Sequence, residues 1–240
     1  MTDPAIEEPP VAAPAVEIDG LSFAYESRGR TPSFQLRVPS LRIPGGRHVG
    51  IIGASGSGKT TLLHLIAGIL QPDRGAISLA GTRLDRSSGR AQRELRLRRV
   101  GMIFQEFELL DHLTVRENIL LPYYLTSKLG AVDTEHLETL ADRAGIARYL
   151  DRRPRRLSQG ERQRVAICRA LVTRPPIVLA DEPTGNLDPT TTTGVLEIIF
   201  EEVDRVGATL VMVTHDHSLL DRFDEVVDFA QFRTETGGTP

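Results

Sequence analysis

The chain has a single cysteine, Cys168, among 240 residues. It cannot close an internal disulfide, which fits a reducing compartment. No run of about 20 apolar residues occurs, so no segment reads as a membrane-spanning helix. Acidic residues (32) outnumber basic ones (29), for a formal charge of −3. The basic excess of most nucleic-acid-binding surfaces is missing, and no nucleic-acid partner is expected. Residues 1–15 lack the basic and apolar stretches of a secretory signal. Rich in Pro, Ala and Glu, they read as a disordered lead-in. His64, His112, His136 and His217 have no metal-site spacing. No internal repeat is visible. The remainder, 40% hydrophobic and 25% charged overall, suffices for one domain with a substantial core, or a domain with a compact subdomain.

Apolar alternation at Leu21, Phe23 and Tyr25 predicts a strand over 16–25, a hairpin loop at 29–31 and a returning strand over 34–38. An apolar run at 49–52 leads into a glycine-rich turn and a helix over about 59–67. Turn chemistry at 71–75 precedes a short strand at 76–79, and another strand is expected at 100–104. Residues 106–157 show no clear strand, but Leu137, Leu140, Ala144 and Leu150 have helical spacing, so this stretch reads as a helical insertion. The runs 177–180 and 209–213 have the make-up of buried parallel strands. Between them 194–206 reads as a helix with Val195, Ile198, Ile199 and Val203 on one side. Such alternation predicts an α/β fold with a mostly parallel sheet, an N-terminal antiparallel β part and a helical insertion.

Gly53-Ala54-Ser55-Gly56-Ser57-Gly58-Lys59-Thr60, between a buried strand and a helix, fits the P-loop pattern. Its glycines let successive N–H groups turn toward phosphate oxygens, and the helix that follows, including Thr61, presents its positive end to the same anion. Lys59 adds a charge near the β- and γ-phosphates, and the Thr60 hydroxyl suits Mg²⁺. The alternative is a glycine-rich turn that merely precedes a lysine. Downstream, the run 177–180 ends in Asp181 and Glu182, which places two acids at the carboxyl edge of the sheet. Asp181 suits the Mg²⁺ shell, and Glu182 can act as general base on the attacking water. A nucleoside triphosphate with Mg²⁺ is therefore the expected ligand, but kinases, GTPases, helicases and motors share this loop, so it does not by itself name the function.

Leu157-Ser158-Gln159-Gly160-Glu161, continuing as Arg162-Gln163-Arg164-Val165-Ala166-Ile167-Cys168-Arg169-Ala170-Leu171, resembles the signature segment of ABC ATPases. Read from the residues alone, Ser158 and Glu161 are a capping box, and a helix start with Gly160 exposed also makes an anion site. The resemblance covers about 16–229. It implies ATP as the nucleotide and Gln105 as the Q-loop glutamine, a nucleotide and Mg²⁺ contact. It also implies that Asn186-Leu187-Asp188 is the D-loop, that His215 is the switch histidine, and that Tyr25, or failing it Phe23, stacks on adenine. In the family Ser158 and Gly160 face the γ-phosphate held by a partner, so a second copy or a homologous ATPase is implied, related head-to-tail by a two-fold axis. Gln159 departs from the commoner glycine, and Val227-Asp228-Phe229 from a common glycine turn. The ATPase domain is expected over 16–232, with a flexible tail at 233–240.

The segments 104–110, 113–118 and 181–188 look like the lipoprotein-release and macrolide-export branch. This resemblance implies a peripheral ATPase on the cytoplasmic face of the inner membrane, powering a separate permease. Leu109, Leu110, Leu113 and Tyr123 are candidates for the docking surface, the insertion's own core being the alternative. The clustered arginines Arg93, Arg96, Arg98, Arg99, Arg152, Arg153, Arg155 and Arg156 read as permease or lipid contacts, or equally as solvated faces. Cys168 reads as core. Rival readings are a soluble ABC protein, which usually carries two cassettes or a long coiled-coil insertion, a cell-division scaffold that recruits a membrane partner, and a metabolic kinase, which needs no signature helix.

Overall fold

The computed structural model describes residues 14–25, 34–84 and 89–236. In chain order, β1 (Pro14–Ala24), β2 (Phe34–Pro44) and β3 (His48–Ile52) lead to α1 (Lys59–Ile66). β4 (Arg74–Leu79), β5 (Thr82–Arg83), α2 (Gly89–Arg99) and β6 (Val100–Ile103) follow. The middle is helical: α3 (Val115–Leu125), α4 (Thr134–Arg143) and α5 (Gln159–Leu171), joined through short 3-10 turns. β7 (Ile177–Asp181), α6 (Pro189–Val206), β8 (Thr209–Val213), β9 (Glu225–Asp228) and β10 (Arg233–Thr236) complete the described chain.

The strands form two sheets. One is antiparallel, in the order β10-β2-β1-β4-β5, and the other is parallel, in the order β6-β7-β8-β3-β9. All five residues of β7 and of β8 are buried, because the parallel sheet is covered on both faces. The two-residue side-chain period assigns each face a core. Ile177, Leu179, Val211 and Val213 join α1 and the antiparallel sheet, while Val178, Ala180, Leu210 and Met212 join α3, α4, α5 and α6. α1 is thus held between the two sheets, with Leu62, Leu63, Leu65 and Ile66 fully buried.

Several expectations need correcting. Pro14 and Ala15 belong to β1, so the lead-in ends earlier; residues 1–13 and the hairpin loop at 29–31 lie outside the described residues. Arg233–Thr236, expected in the flexible tail, pairs antiparallel with β2 and takes the edge that β2 would otherwise leave open. α6 begins at Pro189, five residues before the expected start. Asp188 caps it by accepting from the backbone N–H of Thr190 and Thr191, and Pro at the first helical position loses no intrahelical bond. The helix ends at Gly207 in the left-handed conformation. Residues 106–157 contain helices and 3-10 turns and no strand. The arginines of α2 lie on a helix with no buried residue.

Candidate active site

β3 carries the chain out to the loop that precedes α1. Gly58, the N-cap of α1, has φ 106°, and a Cβ there would lie 2.4 Å from Phe34 Cζ, so both backbone and space demand glycine. No side chain caps this helix start, which leaves its first N–H groups for an anion. Lys59 is only 5% exposed, and its Nζ donates to the carbonyls of Gly53 and Ala54 at 2.8 Å each. The lysine thereby holds the loop in shape, and an ammonium with three donors keeps one more. Gly53 and Gly56 also have positive φ, and Ser55 and Gly56 are exposed on the loop. Ser57 Oγ is buried without a hydrogen-bond partner among the described residues.

Asp181 ends β7 beside this loop. Burial raises its carboxyl above the usual carboxylate range, an effect partly opposed by a hydrogen bond with the Thr60 side chain and by the charge of His64. Its Oδ1 is buried and has no partner among the described residues. Glu182 follows with φ 42°, an unfavourable left-handed conformation fixed by its N–H donating to Val213 O at 3.0 Å. That bond ties the ends of β7 and β8 together and brings His215 to the same place: His215 Nδ1 lies 3.3 Å from Glu182 Oε2. Gln105 leaves β6 next to this corner. Its carbonyl accepts from Asn186 Nδ2 at 3.1 Å, and its Nε2 lies 2.9 Å from where a Cβ on Gly185 would be. Lys59, Thr60, Asp181, Glu182, His215 and Gln105 therefore share the carboxyl edge of one parallel sheet, where β3, β6, β7 and β8 end.

Tyr25 stands at the other side of the loop, 41% exposed, with its hydroxyl 3.3 Å from Thr61 Oγ1. Phe23, the fallback, is buried in the sheet and packs against Tyr25 with the two rings near perpendicular, centroids 4.9 Å apart. Of the two rings, Tyr25 is the more exposed.

Among the described residues no hydrogen bond joins Ser158 or Gly160 to the loop at 53–60. Ser158 caps α5 through a complete box with Glu161: Ser158 N donates to Glu161 Oε2 at 2.8 Å, and Glu161 N donates to Ser158 Oγ at 3.3 Å. Hydrogen bonds from the Tyr149 and Ser158 side chains hold the Glu161 carboxyl below its usual range. Gly160 is buried, not exposed as expected. A Cβ there would sit 2.4 Å from Thr191 Cγ2, because the starts of α5 and α6 pack against each other. Asp188 caps α6, and among the described residues no hydrogen bond joins it to the loop at 53–60.

A sequence profile of the ABC transporter family matches residues 36–185, well over half of the chain. The chain belongs to the ABC transporter family. As an ABC cassette it is an ATPase. It is 38% identical over 227 residues to the lipoprotein-releasing system ATP-binding protein LolD of Xanthomonas oryzae pv. oryzae, covering 94% of this chain and 92% of that protein. The LolD of Shewanella denitrificans is 36% identical over 219 residues, covering 91% and 94%. Among solved structures, a dimeric ATP-binding cassette in a post-hydrolysis state with ADP and Pi superposes with TM-score 0.78 at 30% identity, covering 89% of this chain and 93% of that one.

Two parts of the cassette escaped sequence reasoning. Gln163, fully buried on α5, donates to Pro183 O at 2.6 Å and so props the turn after Glu182. Arg169, also on α5, grips the loop after Gln105. The available signal was a polar side chain on the apolar side of a helix, most visibly Arg169 within the run 165–171.

Proposed function

We propose that the cassette is the ATP-hydrolysing engine of a transporter that extracts lipoproteins from the inner membrane. In this reading it is held peripherally at the cytoplasmic face by a separate permease and works as a dimer. The observation that carries the chemistry is the meeting of Lys59, Asp181, Glu182 and His215 at one sheet edge, with Glu182 and His215 3.3 Å apart. The substrate class rests on the likeness to LolD proteins across nearly the whole chain. No described helix is long and apolar enough to cross a membrane, so in this reading the spans belong to the partner.

Lys59 and the uncapped start of α1 bind the phosphates, and Tyr25 offers its ring to adenine. Glu182 takes the proton of the attacking water, and His215 orients Glu182 and the γ-phosphate. The donor set fits Mg²⁺: a buried carboxylate oxygen of Asp181 with no protein partner, beside the Thr60 hydroxyl, gives a hard cation oxygen ligands, and Gln105 completes the protein's share. When bound, Mg²⁺ would offset charge on the β- and γ-phosphates. Ser158, Gly160 and Asp188 serve the site of a second copy.

For the permease we favour a groove between α2, β6, α3 and α5, a cavity of about 270 Å³ lined in part by Ile69, Leu97, Phe104, Leu121 and Leu125. This shifts the docking surface from the residues named on sequence grounds. Leu109 and Tyr123 pack on the core, and of the four only Leu110, at 37%, stands out as an exposed large hydrophobic. The test is reconstitution of the cassette with its co-encoded permease in proteoliposomes that carry a lipid-anchored protein. ATP should drive release of that protein, and Leu125→Glu should abolish co-purification while sparing basal hydrolysis. Hydrolysis without release would remove the lipoprotein assignment, and retained co-purification would move the docking surface elsewhere.

A further inference from the structure

The loop after β6 holds Phe107 at φ 58° and Glu108 at φ 49°, two consecutive non-glycine residues in the left-handed region. Such a pair persists only where its surroundings impose it. A backbone bond from Glu108 N to Glu106 O closes the turn, and one side chain grips both of its outward carbonyls. Arg169 of α5, 9% exposed, donates from Nη2 to Phe107 O at 2.7 Å and from Nη1 to Glu108 O. The rigid guanidinium fork spans two carbonyls that the left-handed turn aims in one direction. Burial lowers its pKa to about 10, so it remains cationic at neutral pH. The same helix, through Gln163, holds Pro183, the residue after Glu182. One rigid element therefore touches both segments that deliver side chains to the reacting corner: 105–108 and 182–183.

We propose that Arg169 is a positioning residue for ATP hydrolysis, setting Gln105 against Glu182 by fixing the left-handed turn at Phe107 and Glu108. Arg169 bonds the backbone two and three residues beyond Gln105, and Gln105 itself is tied to the Glu182 turn through Asn186 and the close approach to Gly185. A lysine at 169 keeps the charge and stem but offers a point ammonium in place of the fork, so it cannot hold both carbonyls in the same plane. The inference rests on the reading of Gln105 given under Proposed function.

The test uses the purified cassette with Mg²⁺ and ATP, and three variants: Gln105→Ala, Arg169→Lys and the two combined. Arg169→Lys should lower kcat about tenfold with KM close to wild type and a melting temperature roughly 2–8 °C lower, as expected of misplacement rather than lost binding. The combined variant should be no slower than Gln105→Ala alone, since both changes disable one device. If the two losses multiply instead, Arg169 acts apart from Gln105 and the proposal falls. If Arg169→Lys keeps full kcat it falls too. A Gln105→Ala cassette with unchanged kcat would overturn the role of Gln105 itself, and the proposal with it. Should Arg169→Lys not fold, Glu108→Pro gives an independent reading, because proline cannot adopt positive φ while Arg169 stays in place. It should show the same kcat loss and the same non-additivity with Gln105→Ala, and additive losses would overturn the proposal.

Discussion

The starts of α1 and α5 are both helix N-termini suited to an anion, yet they are finished in opposite ways. α1 begins at a left-handed glycine with no side-chain cap and no acidic residue in its first turn, and Lys59 adds a positive charge. α5 begins at Ser158 with a full capping box and carries Glu161 in its first turn. That is also how α3 begins, with Thr114 and Glu117, although α3 belongs to the helical core. In the proposed reading the first start holds phosphate by itself. The second has the N–H groups of Ser158 and Glu161 satisfied within its capping box and already carries a carboxylate near its positive end, so it is less suited to capture an anion alone. In the proposed dimer it meets a phosphate that another copy has already bound and presents to Ser158.

The largest test of that contrast is Glu182→Gln. Hydrolysis should fall by about 10² to 10⁴ while ATP stays bound to the α1 start. With turnover blocked, sedimentation in Mg²⁺·ATP should show a dimer drawn together by the α5 starts. A variant that hydrolyses normally would take Glu182 out of the base role. Next, Lys59→Ala should weaken ATP by about 1.5–3 kcal/mol, roughly ten- to a hundredfold in Kd, with the circular dichroism spectrum intact. Unchanged affinity in a calorimetric titration would mean that the α1 start is not the principal phosphate holder.

Gly160→Ala sharpens the comparison from the other side. Its Cβ meets Thr191 Cγ2 at 2.4 Å, and relieving that clash should cost about 1–3 kcal/mol in urea denaturation. Adding Thr191→Ser removes the clashing methyl and should restore stability. Failure to do so would place the constraint outside this contact. The smallest effect separates the two capping boxes. Ser158→Ala and Thr114→Ala should each cost about 1 kcal/mol of stability, but only Ser158→Ala should also slow hydrolysis. Equal activity in both would make Ser158 a structural cap and nothing more.

What the sequence disclosed follows the same division. The chemistry of 53–60 and of Asp181-Glu182 is written in contiguous residues, and the flanking apolar runs supplied the strand and helix around them. Glu182 and His215, 33 residues apart, meet because β7 and β8 are neighbours, which the family order implied and local pattern alone did not. The burial of Gly160 was invisible because its neighbour, Thr191, lies on another helix. The early start of α6 was missed because four consecutive threonines mask a helix that Asp188 and Pro189 initiate. β10 reads Arg-Thr-Glu-Thr and has no apolar alternation, so only the open edge of β2 accounts for it. Phe34 as the reason for glycine at 58, and Arg169 as the clamp on the Gln105 loop, are contacts between distant segments that no short motif records.

In the proposed dimer the α5 start of one copy completes the phosphate site on the α1 start of another. Mixing two inactive variants tests it directly. Lys59→Ala disables the first start and leaves the second, and Ser158→Arg does the reverse. If the sites form between copies, a mixed dimer contains one site with both parts intact. Hydrolysis should then rise above that of either variant alone, toward roughly a quarter of the wild-type rate at equal mixing, since half the dimers are mixed and each has one good site of two. If the α5 start served its own chain, no mixture could contain an intact site. A rate that never exceeds the two parents at any ratio would rule out a site shared between copies.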